Sequence, residues 1–63
     1  MAKRLSNLPT IELTMWAENS LFTIGRNVAG SGKKGFEEYS EALVGAYTLV
    51  YVLEELIQRT KND

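Results

Sequence analysis

Apolar residues recur at helical spacing over two stretches of the chain, and a short polar stretch separates them. In the first stretch they form two neighbouring stripes, Leu13, Ala17, Leu21, Ile24 and Val28 beside Ile11, Met15, Phe22 and Ala29. Such spacing is typical of an α-helix that buries one face. It predicts a first helix over residues 9–29, with Pro9 in its first turn and Ser6 or Asn7 as its cap.

The second stretch follows a heptad pattern. Its apolar positions are Tyr39, Ala46 and Leu53, which alternate with the pairs Ala42/Leu43, Leu49/Val50 and Leu56/Ile57. The segment 47–52 is rich in β-branched and aromatic residues, a composition typical of strands. Because the heptad continues on both sides of that segment, the pattern predicts a second helix over residues 36–60.

Between the two stretches lies NVAGSGKKG, residues 27–35, which overlaps the phosphate-binding pattern G-x-x-x-x-G-K-[ST]. Asn27 stands where the first glycine belongs, and Lys34 stands where a hydroxyl should hold magnesium. A phosphate loop of this kind also follows a strand, whereas this stretch follows a helix. The glycines therefore predict a helix end, a turn over residues 30–35 and the start of the second helix.

A short loop between two long helices predicts an antiparallel hairpin, so residues 1–63 should form a single helical domain. The apolar arc of the first helix spans more than half of its circumference, and Tyr47 and Tyr51 widen the arc of the second. One neighbouring helix cannot cover surfaces of this width. The pattern therefore predicts an all-α fold in which two hairpins dimerise into a four-helix bundle.

Two sets of residues follow from this arrangement. The core is expected to contain Leu13, Ala17, Leu21, Phe22, Ile24, Val28, Leu43, Ala46, Leu49, Val50, Leu53 and Leu56. The oligomer interface is expected to use Leu13, Trp16, Ala17, Leu21, Ala42, Gly45, Ala46, Leu49, Leu53 and Leu56. A glycine inside a helix is costly, so Gly45 is predicted to mark the close approach of a neighbouring helix.

Composition excludes several kinds of chemistry. The 63 residues include no cysteine and no histidine, which rules out disulfides, thiolate zinc sites, cysteine nucleophiles and the commonest general base. Bundle di-metal sites need histidines in E-x-x-H motifs, which are absent here. We therefore predict no metal, no cofactor and no catalytic motif. A domain this small, without disulfide or metal, is expected to gain stability from self-association.

The charge pattern gives no strong preference for a partner. A net charge of −1 attracts neither nucleic acid nor anionic membrane. Lys3 and Arg4 are followed by no apolar run, so a signal peptide is not predicted. The longest uncharged stretch, residues 42–53, is shorter than the roughly 20 residues of a spanning helix. A cytoplasmic protein that does not contact membranes is the expectation.

Two groups of polar residues are candidate sites. Glu18 lies in the middle of the apolar arc, and folding about the loop places Tyr47 beside it. A hydrogen bond between them would form a buried polar pair that fixes the register. Two further interpretations stay open: two copies of Glu18 could meet at a twofold axis, or Glu18 and a tyrosine could act as an acid–base pair of an enzyme.

The second group is basic. Arg26, Lys33 and Lys34 should gather at the loop end of the hairpin, where they could contact an anion or nucleic-acid phosphates. At the other end Lys3 and Arg4 should meet Arg59 and Lys61. These residues support the alternative function of a small nucleic-acid-binding regulator or accessory protein. The main prediction is a non-enzymatic, homo-oligomeric interaction or scaffold module, whose partner is a second copy or another protein.

Residues 24–56 resemble the central part of the four-helix-bundle proteins of 23S rRNA intervening sequences and the similar accessory variability proteins of retroelements. Those proteins show a helix ending in N-[IV]-A-E-G, a Ser/Gly/basic turn, and a helix that opens with acidic and aromatic residues. NVAGSGK at 27–33 and FEEY at 36–39 follow that order, without the glutamate before the glycine. The resemblance implies an oligomeric helical bundle, in which a second copy replaces the family's first and fourth helices. In strongly basic family members it also implies binding of nucleic acid or partner proteins.

Overall fold

The computed structural model describes residues 5–61, which form a short 3-10 helix and two α-helices. The 3-10 helix spans Leu5–Asn7, helix α1 spans Thr10–Val28 and helix α2 spans Phe36–Lys61. The two α-helices pack against each other as an antiparallel hairpin. The predicted all-α hairpin is therefore confirmed. Lys3 and Arg4, predicted for the basic end away from the loop, lie outside the described residues.

Helix α1 begins without the side-chain cap that the sequence predicted. Pro9 occupies the cap position, and its carbonyl accepts hydrogen bonds from the backbone N–H groups of Glu12 and Leu13 at 3.0 and 3.2 Å. Ser6 and Asn7 instead belong to the 3-10 helix. The extended conformation of Pro9 orients its carbonyl toward the first turn, so backbone groups alone start the helix.

The helices align so that Ser20 lies beside Gly45. A Cβ atom added to Gly45 would come within 3.2 Å of Ile24 Cγ1 and 3.3 Å of the Ser20 carbonyl oxygen. A side chain here would require these neighbours to shift by a few tenths of an ångström, so glycine suits this close approach. The predicted close approach at Gly45 is therefore confirmed, but the neighbouring helix is α1 of the same chain.

The contact between the helices differs along its length. At the end away from the loop, Leu8, Leu13 and Val52 form a buried cluster, with Leu5, Ala17 and Leu56 packed against it. Nearer the loop, small residues replace the large ones, and the buried positions there are Ser20, Ala42 and Gly45. Large side chains therefore fill one end of the hairpin, and close backbone contact closes the rest.

Half of the predicted core residues are not in the core of the single chain. Leu13 is buried and Ala17, Ile24, Ala46, Leu49 and Leu56 are half-buried, whereas Leu21, Phe22, Val28, Leu43, Val50 and Leu53 are 45–69% exposed. The reason is geometric, because each helix can turn only one stripe toward the other. The sequence analysis left out Leu8 and Val52, which are 4% and 0% exposed.

The turn has the conformation that its glycines predict. Gly30 and Gly32 have φ angles of 89° and 101°, in the left-handed region that disfavours other residues. Helix α1 ends at Val28, and the Ala29 N–H donates to the Gly25 carbonyl at 2.8 Å. The predicted turn between two helices is confirmed.

Candidate interaction surface

Many large apolar side chains of the hairpin are exposed. The following residues are 43–86% exposed: Ile11, Met15, Trp16, Leu21, Phe22, Val28, Phe36, Tyr39, Leu43, Val44, Tyr47, Val50, Tyr51, Leu53 and Ile57. Monomeric soluble proteins rarely expose large contiguous apolar patches unless those patches bind something. This surface is therefore the principal candidate site of the molecule.

Helix α2 carries two heptad stripes that are offset by one residue. The first stripe packs on α1 and contains Ala42, Gly45, Leu49, Val52 and Leu56, which are buried or half-buried. The second stripe contains Tyr39, Leu43, Ala46, Val50, Leu53 and Ile57, of which all but Ala46 are exposed. An offset of one residue rotates a stripe by about 100° around a helix. Helix α2 is therefore patterned to pack on two sides, and the single chain uses one.

The two sides of the hairpin differ in polarity. A shallow groove between the helices marks the groove side, which is lined by Trp16, Asn19, Ser20, Thr23, Glu41, Val44, Gly45 and Thr48. By helical geometry the opposite side carries Leu21, Gly25 and Val28 of α1 together with the second stripe of α2. We call it the apolar side. Because polar groups interrupt the groove side, the apolar side is the better candidate for protein contact.

Helix α1 has a concavity on its surface at Gly25. Its walls are formed by Glu18, Leu21, Phe22 and Arg26. A Cβ atom added to Gly25 would meet nothing within 4 Å, so packing within the chain does not require glycine there. Glycine inside a helix costs about 1 kcal/mol relative to alanine. We call this concavity the Gly25 notch.

The predicted interface residues fall into three groups. Leu13, Ala42 and Gly45 are buried between α1 and α2, so their assignment to an interface between chains is corrected. Ala17, Ala46, Leu49 and Leu56 are half-buried at the edge of that contact. Trp16, Leu21 and Leu53 are exposed, with Trp16 on the groove side. The uncharged middle of α2 gave no signal of which stripe would stay exposed.

The predicted buried pair of Glu18 and Tyr47 does not form within the chain. Glu18 is exposed, Tyr47 is 57% exposed, and no hydrogen bond joins them. The predicted register is correct, because Ser20 lies beside Gly45, but the rotation of the helices is not. Glu18 lies about 140° around α1 from Leu13, which faces the other helix.

The basic residues of the loop end have different environments. Lys34 Nζ donates hydrogen bonds to the carbonyl oxygens of Arg26 and Ser31, at 3.2 and 3.4 Å. Its charge therefore complements the carboxyl end of α1. Arg26 and Lys33 are exposed. An anion or nucleic-acid contact through Arg26, Lys33 and Lys34 stays a prediction. A salt-dependent gel shift that disappears when Lys33 and Lys34 are replaced by alanine would support it.

Glu38 fixes the start of α2. Its carboxylate accepts a hydrogen bond from the Gly35 backbone N–H at 2.7 Å, as in a capping box. This bond is the main cause that lowers the pKa of Glu38, and the Glu38 backbone N–H and the charge of Lys34 lower it further. The carboxylate of Glu38 therefore caps the first turn of the second helix.

Arg59 joins the two ends of the described chain. Its Nε forms an ion pair with Glu55 at 2.9 Å, and its Nη1 donates to Thr10 Oγ1 at 2.9 Å. Its Nη2 donates to the carbonyl oxygens of Leu5, Ser6 and Leu8. The sequence analysis assigned Arg59 only to the basic end of α2. Apart from Glu55, its partners lie about fifty positions away, so no local pattern indicates them.

Two further properties concern residues 5–61. Among them, no group of three or more histidine, cysteine or acidic residues is arranged to hold a metal ion. Neither described helix combines the length and the hydrophobicity needed to span a bilayer.

Comparison with other proteins adds no assignment: no protein-family model, no curated protein and no solved structure matches the chain significantly. The resemblance to the intervening-sequence bundle proteins therefore stays a prediction.

Proposed function

We propose that this chain is a non-enzymatic interaction module that acts by self-association, with two hairpins forming a four-helix bundle. The observation that carries the proposal is the exposed apolar side, where Leu43, Val50 and Leu53 of α2 are 45–54% exposed. A second copy offers a surface of the same width and composition. Two apposed hairpins would then cover the apolar side of each other.

The small size of the chain supports the same proposal. Among residues 5–61, the buried cluster at the end of the hairpin consists of Leu8, Leu13 and Val52. Domains of about 60 residues are marginally stable unless a disulfide, a metal or a partner adds to their core. The chain contains no cysteine. Association through the apolar side would supply the missing burial, at about 25 cal/mol per Å² of apolar surface.

The test is the mass of the particle in solution. Sedimentation velocity and light scattering over a range of concentrations should give twice the chain mass of 7.1 kDa. Val50→Lys, on the apolar side, should give a monomer that keeps its helical circular dichroism. Val44→Lys is the matched control, because Val44 is similarly exposed but lines the groove. A fully helical monomer of the unmodified chain at all concentrations would contradict the proposed function.

A further inference from the structure

We infer that the second copy is related by a twofold axis parallel to the helices, so that α1 of each chain packs against α2 of the other. In this arrangement the partner's Leu43 occupies the Gly25 notch. The inference rests on the proposed function and specifies the partner and its orientation. All four neighbouring pairs of helices are then antiparallel, which pairs opposite helix dipoles.

The heights of the contacts follow from the hairpin itself. A rotation about an axis parallel to the helices leaves every residue at its own height along the bundle. Within one chain, Gly45 lies beside Ser20 and Ile24, and Leu13 shares a cluster with Val52. Each residue of α1 therefore faces the residues of the partner's α2 that lie at its own height. These have the same residue numbers as the residues that lie beside it on α2 of its own chain.

The side chains at matching heights are complementary in size. Turning from the contact inside the chain to the apolar side brings a second stripe of α1 forward, which contains Thr14, Leu21, Gly25 and Val28, with Glu18 at its outer edge. Matching by height gives five pairs between α1 and the partner's α2: Thr14 with Leu53, Glu18 with Val50, Leu21 with Ala46, Gly25 with Leu43, and Val28 with Tyr39. In the pairs of Leu21 and Gly25 a large side chain faces a small one, which is how helices interdigitate.

The alternative dimer has its axis perpendicular to the helices and packs α2 on α2. The middle of the second stripe of α2 lies at the height of Glu18. That axis would therefore bring two Glu18 carboxylates close together, with no cation at their height. The parallel axis separates the two carboxylates. It places each Glu18 at the rim, near the height of the partner's Tyr47, whose hydroxyl can donate a hydrogen bond.

A size exchange tests the notch directly. Gly25→Leu fills the notch and should raise the dimer Kd by about tenfold or more. It should not reduce helical content, because nothing in the single chain lies within 4 Å of a Cβ at this position. Leu43→Ala should weaken association, and the double variant should recover affinity relative to Gly25→Leu. Unchanged association of Gly25→Leu, or a double variant weaker than both single variants, would overturn the inference.

Cysteine cross-linking tests the orientation, since the chain contains no cysteine of its own. A mixture of Leu21→Cys and Ala46→Cys chains should form the mixed disulfide, which needs Cα atoms about 4.4–6.8 Å apart. A mixture of Ala46→Cys and Val50→Cys chains reports the alternative, α2 on α2. A particle of dimer mass that cross-links only in the second mixture would overturn the orientation but leave the proposed function intact. A chain that is monomeric throughout would overturn the proposed function itself.

Discussion

Gly25 and Gly45 both stand inside a helix, yet they have opposite surroundings. At Gly45 an added Cβ atom would meet Ile24, Thr23 and the Ser20 carbonyl at 3.2–3.3 Å, whereas at Gly25 it would meet nothing within 4 Å. Gly45 suits the close contact between the two helices of the hairpin. Gly25 lies on the side that the chain leaves open, next to the exposed residues Leu21 and Phe22.

This difference separates two kinds of apolar surface on the molecule. The closed surface, between α1 and α2, determines whether one chain folds. The open surface, on the apolar side, determines whether two chains associate. Because association adds stability only when the partner is present, the dependence of stability on protein concentration should distinguish residues of the two surfaces.

The largest effect is expected in the closed surface. Leu13 is fully buried, so Leu13→Ala should reduce the free energy of unfolding by about 2–5 kcal/mol at every protein concentration. Leu21→Ala, at a position that is 58% exposed, is the matched variant of the open surface. Leu21→Ala should reduce the free energy of unfolding only at concentrations where the chain associates. Urea unfolding at a low and a high concentration measures both, and equal losses in dilute solution would contradict the division into two surfaces.

Substitution of Gly25 and of Gly45 should change the free energy of unfolding by smaller amounts, with opposite signs. In dilute solution Gly45→Leu should lower the free energy of unfolding by about 1–3 kcal/mol, because the new side chain collides with α1. Gly25→Leu should raise it by about 0.5–1 kcal/mol, because leucine favours the helix and meets no obstacle. Thermal unfolding followed by circular dichroism checks both signs. Destabilisation by Gly25→Leu would show that the notch is occupied within the chain.

The smallest effect concerns the first turn of α2, the helix that carries both surfaces. The Gly35 N–H lowers the pKa of Glu38 in the folded state. The resulting stabilisation is present above the pKa of the unfolded chain, about 4.3, and is lost as the pH falls through the lowered folded pKa. Glu38→Gln should therefore flatten the acid side of the stability curve. Glu37→Gln is the control, and an equal flattening by both variants would contradict the capping role.

The helices, the turn and the register could be predicted because their signals are local. Apolar residues at helical spacing mark α1 and α2, and Gly30 and Gly32 take the backbone conformations that their position in the turn requires. Once the turn is placed, the heights of Ser20 and Gly45 follow. The prediction was wrong about which faces meet, since it placed Leu21 and Leu53 in the core and paired Glu18 with Tyr47.

The rotation of α2 could not be predicted because its middle carries no charge. Residues 42–53 include no acidic or basic side chain, so neither of the two stripes is marked as the exposed one. The face of α1 that packs on α2 could not be recognised because small and polar residues form part of it. Ser20 is 6% exposed, although serine is usually a surface residue. The contacts of Arg59 with residues 5–10 depend on the fold itself and have no sequence signature.

The bonds of Arg59 also determine how the hairpin can be attached to other molecules. Because Arg59 holds the carbonyls of Leu5 and Leu8, the first described residues and the last turn of α2 lie at the same end, away from the loop. In the proposed dimer, an axis parallel to the helices places Leu5 and Lys61 of both chains there and both loops at the opposite end. Any two cargoes linked to the chains would be held side by side, and the loops would stay unobstructed.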